Sequence, residues 1–113
     1  MKEFMLIFKA SPKGSGLSAE MAQAQMQKWF DWVGRLKNEG IYIEGRPLIV
    51  GGKSISGKDQ VVTDGPFAES KELVAGYFIV KVKDIDEAVS LTKTGFPDFE
   101  LGGSVEIREV QLM

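Results

Sequence analysis

The densest set of reactive side chains is the stretch Thr63-Asp64-Gly65-Pro66-Phe67-Ala68-Glu69-Ser70-Lys71-Glu72. Gly65 accepts unusual backbone angles, while Pro66 fixes its own φ and restricts the residue before it, so the chain turns there as a stiff elbow. Such an elbow can hold Asp64 and Glu69 at fixed positions beside Lys71. Two carboxylates near a lysine suit proton transfer or the binding of a polar ligand, provided one carboxylate loses its water and its pKa rises. The same residues also read as a capped, solvated turn whose Phe67 plugs the core, and from chemistry alone that is the simpler account.

Two absences narrow the chemistry further. The sequence has no histidine and no cysteine. A Ser-His triad, a haem-ligating or metal-binding histidine, a thiolate nucleophile and a zinc-thiolate site are therefore excluded. Any reaction must use carboxylates, Lys, Tyr, Ser or Thr, or an external cofactor, and no residue pattern calls for a cofactor or a metal. Gly52-Lys53-Ser54 resembles the tail of a phosphate-binding loop, but the first glycine of such a loop would fall on Pro47, and a strand follows where a helix is required. Asp84-Ile85-Asp86-Glu87 lacks the loop glycine and later ligands of a calcium motif and reads as a helix cap. Trp29 and Trp32 have helical spacing, which suits packing better than a stacking platform.

Hydrophobic residues make up 43% of the chain and charged residues 27%, the balance of a globular protein rather than a disordered one. At 113 residues it fits a single domain, residues 1–113, able to bury a core without disulfides. The 14 basic and 16 acidic residues are interspersed, leaving no basic stripe for nucleic acid. No run of 18 apolar residues and no leader-like opening occur, so no membrane partner is expected and the protein is predicted to be cytoplasmic.

The elements that must position the elbow follow from periodicity. Phe4 to Phe8 is apolar on both alternating faces and predicts a buried strand, followed by a flexible loop over Ser11 to Gly16. Ser18 can cap a helix whose apolar positions are Ala22, Met26, Trp29, Phe30, Val33 and Leu36, with Gly40 as its stop. Ile41 to Val50 predicts a strand that Gly45 and Pro47 push to an edge or a bulge. Ser54-Ile55-Ser56 and Gln60 to Thr63 flank Gly57-Lys58-Asp59 as a hairpin. Leu73 to Val82 is the clearest strand. Asp84 and Glu87 have capping-box spacing ahead of a helix with Ile85, Ala88, Val89 and Thr92 on one face, ended by Gly95 and Pro97. Ser104 to Leu112 predicts the last strand, where a change of phase toward Val110 and Leu112 implies a bulge near Arg108.

Strand, helix, strand, hairpin insertion, strand, helix, strand is an α+β order, the ferredoxin-like βαββαβ arrangement. Two crossover helices cover one face of a four-stranded sheet, yet Phe4 to Phe8 and Tyr77 to Val80 offer large apolar side chains to both. A wet second face would be a larger apolar patch than monomers carry, so a face-to-face homodimer is expected.

The run Asp64-Gly65-Pro66-Phe67-Ala68-Glu69-Ser70-Lys71-Glu72, followed by Gly76-Tyr77-Phe78, resembles the signature of the DGPF-domain proteins, a branch of the YciI-like (YCII-related) group. The resemblance extends to Phe4-Met5-Leu6-Ile7, to Gly40 and Gly45, to Asp84-Ile85-Asp86-Glu87-Ala88 and to Gly103-Ser104-Val105-Glu106-Ile107-Arg108. It implies a dimeric α+β barrel, in which two ferredoxin-like sheets pack face to face. Relatives with a His-Asp pair, including a dehydrochlorinase of chlorinated hydroxyquinols, are regarded as enzymes, but a chain without histidine cannot carry that pair. The family's sigma-factor or transcription-initiation label finds no basic surface here to support it.

Three functional expectations follow. The first is a homodimer binding a small molecule in a pocket beside the elbow, with Asp64, Glu69, Lys71 and Arg108 as polar groups and Gly65, Pro66, Phe67 and Tyr77 around them. The second is a histidine-free lyase or isomerase with Asp64 or Glu69 as the acid or base. The third is a structural or partner-binding dimer with the elbow buried between subunits.

Overall fold

A computed structural model of the chain describes residues 1–11, 16–65 and 73–113. Its elements run β1 (Lys2–Ala10), α1 (Ala19–Asn38), β2 (Tyr42–Pro47), β3 (Gly52–Ser56), β4 (Val61–Gly65), β5 (Leu73–Val82), α2 (Ile85–Gly95) and β6 (Ser104–Glu109). Most of the loop expected over Ser11 to Gly16, residues 12–15, lies outside the described residues.

Local signals set the helix ends. Ser18 accepts the Met21 N–H on its Oγ at 3.2 Å and opens α1, while Gly40 takes the left-handed conformation that follows it. Asp84 accepts the Glu87 N–H at 2.9 Å and opens α2. The Glu87 carboxylate reaches back to the Lys83 N–H at 3.1 Å, one residue before the donor of the usual capping box.

The sheet has the order β2-β5-β1-β6 with every pair antiparallel, the ferredoxin-like α+β arrangement the element order predicted. Gly45 and Pro47 do lie on an edge strand, and its register shifts between Tyr42 and Glu44. The β3–β4 hairpin forms a separate two-stranded sheet that turns through Gly57 at φ +77°. One expectation fails. Pairing of β1 with β6 runs unshifted from Lys9↔Ser104 to Phe4↔Glu109, so there is no bulge near Arg108. Val110 continues the register past the strand's end, its N–H donating to the Glu3 carbonyl at 2.8 Å, and Leu112 lies beyond it.

Both helices cover one face. There Phe4, Leu6 and Phe8 of β1 and Phe78, Val80 and Val82 of β5 pack with Trp32, Leu36, Ala88 and Phe96. Each of the larger side chains contributes about 1.5–3 kcal/mol by leaving water. The α1 stripe is only partly used: Leu36 is buried and Trp29 and Val33 are half-buried, but Ala22, Met26 and Phe30 are exposed, Phe30 at 63%. The buried turn of α1 centres on Trp32, and the stretch from Met26 to Val33 borders a cavity.

The opposite face has a narrow apolar centre. Register aligns Arg46, Tyr77, Ile7 and Glu106 in one row and Glu44, Ile79, Met5 and Arg108 in the next. Ile79 is 8% exposed although it belongs to none of the core packing on the helix side, and Met5, Ile7 and Tyr77 are half-buried. Greasy residues thus occupy the two central strands, and charged residues of alternating sign stand on the two edges.

Candidate ligand cavity

A cavity of about 570 Å³ opens between the middle of α1, Met26 to Val33, and one end of the sheet. Phe8, Trp29, Phe30, Tyr42, Phe78 and Phe96 give its wall an aromatic character. These rings brace one another: Phe8 meets Trp29 edge-on with centroids 5.0 Å apart and Phe78 edge-on at 4.7 Å, and Tyr42 meets Phe78 at 5.3 Å. Edge-to-face contacts of this kind add about 0.5–1.5 kcal/mol each beyond burial and hold the rings in place.

Backbone irregularities shape the opening. The β1–β5 register slips between Phe8 and Lys9, leaving Ala75 unpaired with β1, and its carbonyl instead accepts the Leu48 N–H at 2.8 Å. Ala75 and Gly76 both line the cavity, so the bulge bends β5 at the mouth. Gly45 leaves room for the wall itself. A Cβ there would run into the Phe78 ring and sit 2.9 Å from the Tyr42 hydroxyl.

Asp98 supplies the acidic group. It accepts the Gln25 side-chain amide on Oδ1 at 2.5 Å and the Trp29 indole N–H on Oδ2 at 3.3 Å, while Gln25 also donates to the Pro97 carbonyl at 2.6 Å. These bonds tie the segment after α2 to α1 and leave Asp98 with acceptor capacity toward the cavity. Among the described residues it is the one carboxylate in the wall, where Lys9, Ser11 and Arg46 also stand. Lys9 is bonded to Glu106 at 2.8 Å and Arg46 to the Gly45 carbonyl at 2.7 Å. Burial raises the Tyr42 hydroxyl above its ordinary pKa of 10.0, the nearby Arg46 charge pulling the other way, so at neutral pH it is a neutral hydrogen-bonding group. Hydrogen bonds from Lys9 and then Arg108 hold Glu106 below the usual carboxylate range.

The residues proposed from sequence are distributed differently. Asp64 stands near the root of the hairpin, its side chain 77% exposed and paired with Lys53 at 2.5 Å. A carboxylate this wet lacks the desolvation that an acid or base role would need. Gly65 ends β4, Tyr77 and Arg108 lie on the helix-free face, and none of these four residues lines the cavity. Pro66, Phe67, Glu69 and Lys71 lie outside the described residues. Sequence reasoning missed Asp98, Gln25 and Tyr42. Their only signal was indirect, in that a helix stripe carrying Met26 and Phe30 has more apolar surface than its core contact needs.

Among the described residues no helix is long and apolar enough to cross a membrane, and no group of acidic side chains could hold a metal ion. Residues 2–113 match the family model of the YCII-related domain. An uncharacterized protein of Rhizobium meliloti (strain 1021) is 33% identical over 57 residues, half of this chain and 46% of that protein, so the match spans less than half of the relative's length. Among solved structures, 5-chloro-2-hydroxyhydroquinone dehydrochlorinase from Burkholderia phenoliruptrix AC1100, in complex with 2,5-dihydroxybenzoquinone, superposes with a TM-score of 0.51. That likeness covers 97% of this chain and 95% of the other at 14% identity, and it establishes a shared fold.

Proposed function

We propose, for a chain that belongs to the YCII-related domain family, a homodimer that binds a flat, largely apolar small molecule in the cavity between α1 and the sheet. The observation that carries this reading is the cavity itself, which has the volume of a small-molecule site and pairs aromatic walls with the acceptor Asp98. A ring slides between aromatic faces, and a hydroxyl or amine on it donates to Asp98. The dihydroxybenzoquinone held by the dehydrochlorinase is likewise a flat ring bearing hydroxyls, though a more polar one, which makes hydroxylated quinones and phenols the first compounds to try. Leu73, where the chain re-enters the sheet after residues 66–72, pairs with Ala10 of the cavity wall. Phe67, Glu69 and Lys71 stay candidates for ligand contact on their sequence alone.

Thermal shift and calorimetry against such compounds test the reading. A ligand at a hundredfold excess over its Kd stabilises by about 2.7 kcal/mol, roughly 10 °C for a chain of this size. The shift should shrink in Asp98→Asn and in Phe30→Ala, whose exposed ring contributes little to the core. If no compound stabilises the parent, or both variants respond as the parent does, binding in this cavity is wrong.

The homodimer is supported by the charge pattern of the helix-free face. Its corners carry Arg46 and Glu106 in one row, Glu44 and Arg108 in the next. Turning a second copy over about either in-plane two-fold axis sets Arg46 against Glu106 or Glu44, and Arg108 against Glu44 or Glu106, while the apolar centres meet. Opposite charges face each other about both of these axes, the one along the strands and the one across them, as a self-complementary interface requires.

An enzymatic reading without histidine is favoured by one observation, the Asp98 carboxylate inside an aromatic cavity. It would take a proton from a bound phenol or activated C–H group. An Asp98→Asn variant that binds a substrate of the parent but no longer converts it supports this reading, and one that turns over normally ends it.

A further inference from the structure

Between Pro47 and Gly65 the chain leaves the four-stranded sheet. The β3–β4 hairpin makes no more than marginal contact with any other described element, and apart from Gly65 its residues are exposed. The radius of gyration, 15.6 Å, exceeds the roughly 13 Å expected of a compact chain of this length.

A hairpin of two strands is marginal in water on its own, yet this one and its root display apolar side chains. Ile49 is 94% exposed and Ile55 68%, and Val50, Val61 and Val62 are exposed as well. Register sets Ile55 opposite Val62 on one face, above the Lys53–Asp64 ion pair. Lys53 and Lys58 balance Asp59 and Asp64, so the hairpin has no net charge to steer it toward a nucleic acid or a strongly charged partner. It needs an apolar surface.

We infer that the hairpin is a dimerisation arm, packed against a second copy of this chain and reciprocated by that copy's arm. The inference rests on the homodimer reading and adds to it. Area decides in its favour. Four strands ~4.8 Å apart, with six paired residues rising ~3.4 Å each, present a face of roughly 19 by 20 Å, on the order of 400 Å². A stable complex covers about 800 Å² per partner. The sheet face alone is about half of that. One face of the hairpin measures roughly 10 by 17 Å by the same spacings, and each copy covers that area twice, once with its own arm and once under its partner's. The arms bring the interface near the required size and take the exposed aliphatic groups out of water.

Sedimentation equilibrium on the full chain at micromolar concentration tests the arm. The parent should be a dimer, and Ile55→Lys combined with Val62→Lys should weaken its dimerisation at least a hundredfold. The far-ultraviolet spectrum and tryptophan emission should stay unchanged, because the arm lies outside the core. Ile7→Lys on the sheet face serves as the comparison variant. A double variant that dimerises as tightly as the parent overturns the arm while leaving the sheet-face dimer standing. A parent that stays monomeric overturns both. Either result is independent of ligand stabilisation in the cavity.

Discussion

Gly45→Ala is the most demanding test of how the cavity wall is built. The added methyl would enter the Phe78 ring and sit 2.9 Å from both the Tyr42 hydroxyl and the Tyr77 carbonyl oxygen. The carbonyl belongs to a paired strand and cannot move far, so Phe78 must. That ring is 7% exposed and wedged among Phe8, Trp29, Trp32 and Tyr42 with centroids 4.7 to 5.8 Å away. Overpacking of this kind costs about 1–3 kcal/mol. For 113 residues the unfolding entropy makes each kcal/mol worth roughly 4 °C, so calorimetry should show the melting temperature falling by roughly 4–12 °C. The cause is separable by a double-mutant cycle. Phe78→Leu removes the obstructing ring edge, so the double variant should be less destabilised than the sum of the single variants by about 1 kcal/mol or more. Additivity within ~0.5 kcal/mol would show that Gly45 is not there to make room for Phe78, and the account of the wall would fail.

Other consequences follow from single contacts. Asp84→Ala removes the acceptor for the Glu87 N–H and should cost about 1 kcal/mol in urea unfolding, with Asp84→Asn recovering most of it. Leu6→Ala, at a fully buried core position, should cost about 2–5 kcal/mol in the same assay. Because Lys9 and Arg108 depress the Glu106 pKa, its contribution to stability is present above the ordinary carboxylate value and is lost as pH falls through the folded value; carboxyl NMR titration of Lys9→Met should find Glu106 moved back up. Tyr42 is shifted the opposite way, so its contribution is present below the ordinary phenol value and is lost as pH rises through the folded one. Ultraviolet titration should show a tyrosinate step above pH 10 that is absent in Tyr42→Phe.

Features decided within a few residues were legible in the sequence. The caps at Ser18 and Asp84, the turn at Gly57 and the edge position of a strand holding Gly45 and Pro47 each depend on backbone groups close by, and each is found in the structure. The element order likewise implied the ferredoxin-like arrangement, because consecutive strands joined by crossover helices have few ways to pair. Periodicity misled where it stood alone. The α1 stripe included Met26 and Phe30, which are exposed, and the last strand's phase suggested a bulge that is absent, because a pattern of apolar residues says which side is greasy but not what faces it or where pairing stops.

The cavity belongs to the tertiary structure. Asp98 meets Gln25 and Trp29 across about seventy residues of sequence, and the room beside Gly45 exists only because a ring from β5 fills it. Asp64, singled out by its neighbours along the chain, is instead held in water on a hairpin that stands apart from the sheet. Sequence spacing fixes distances along the chain over a few residues. Distances through space, on which desolvation, ring packing and the meeting of an acceptor with its donors all depend, are set only when the helix lies down on the sheet.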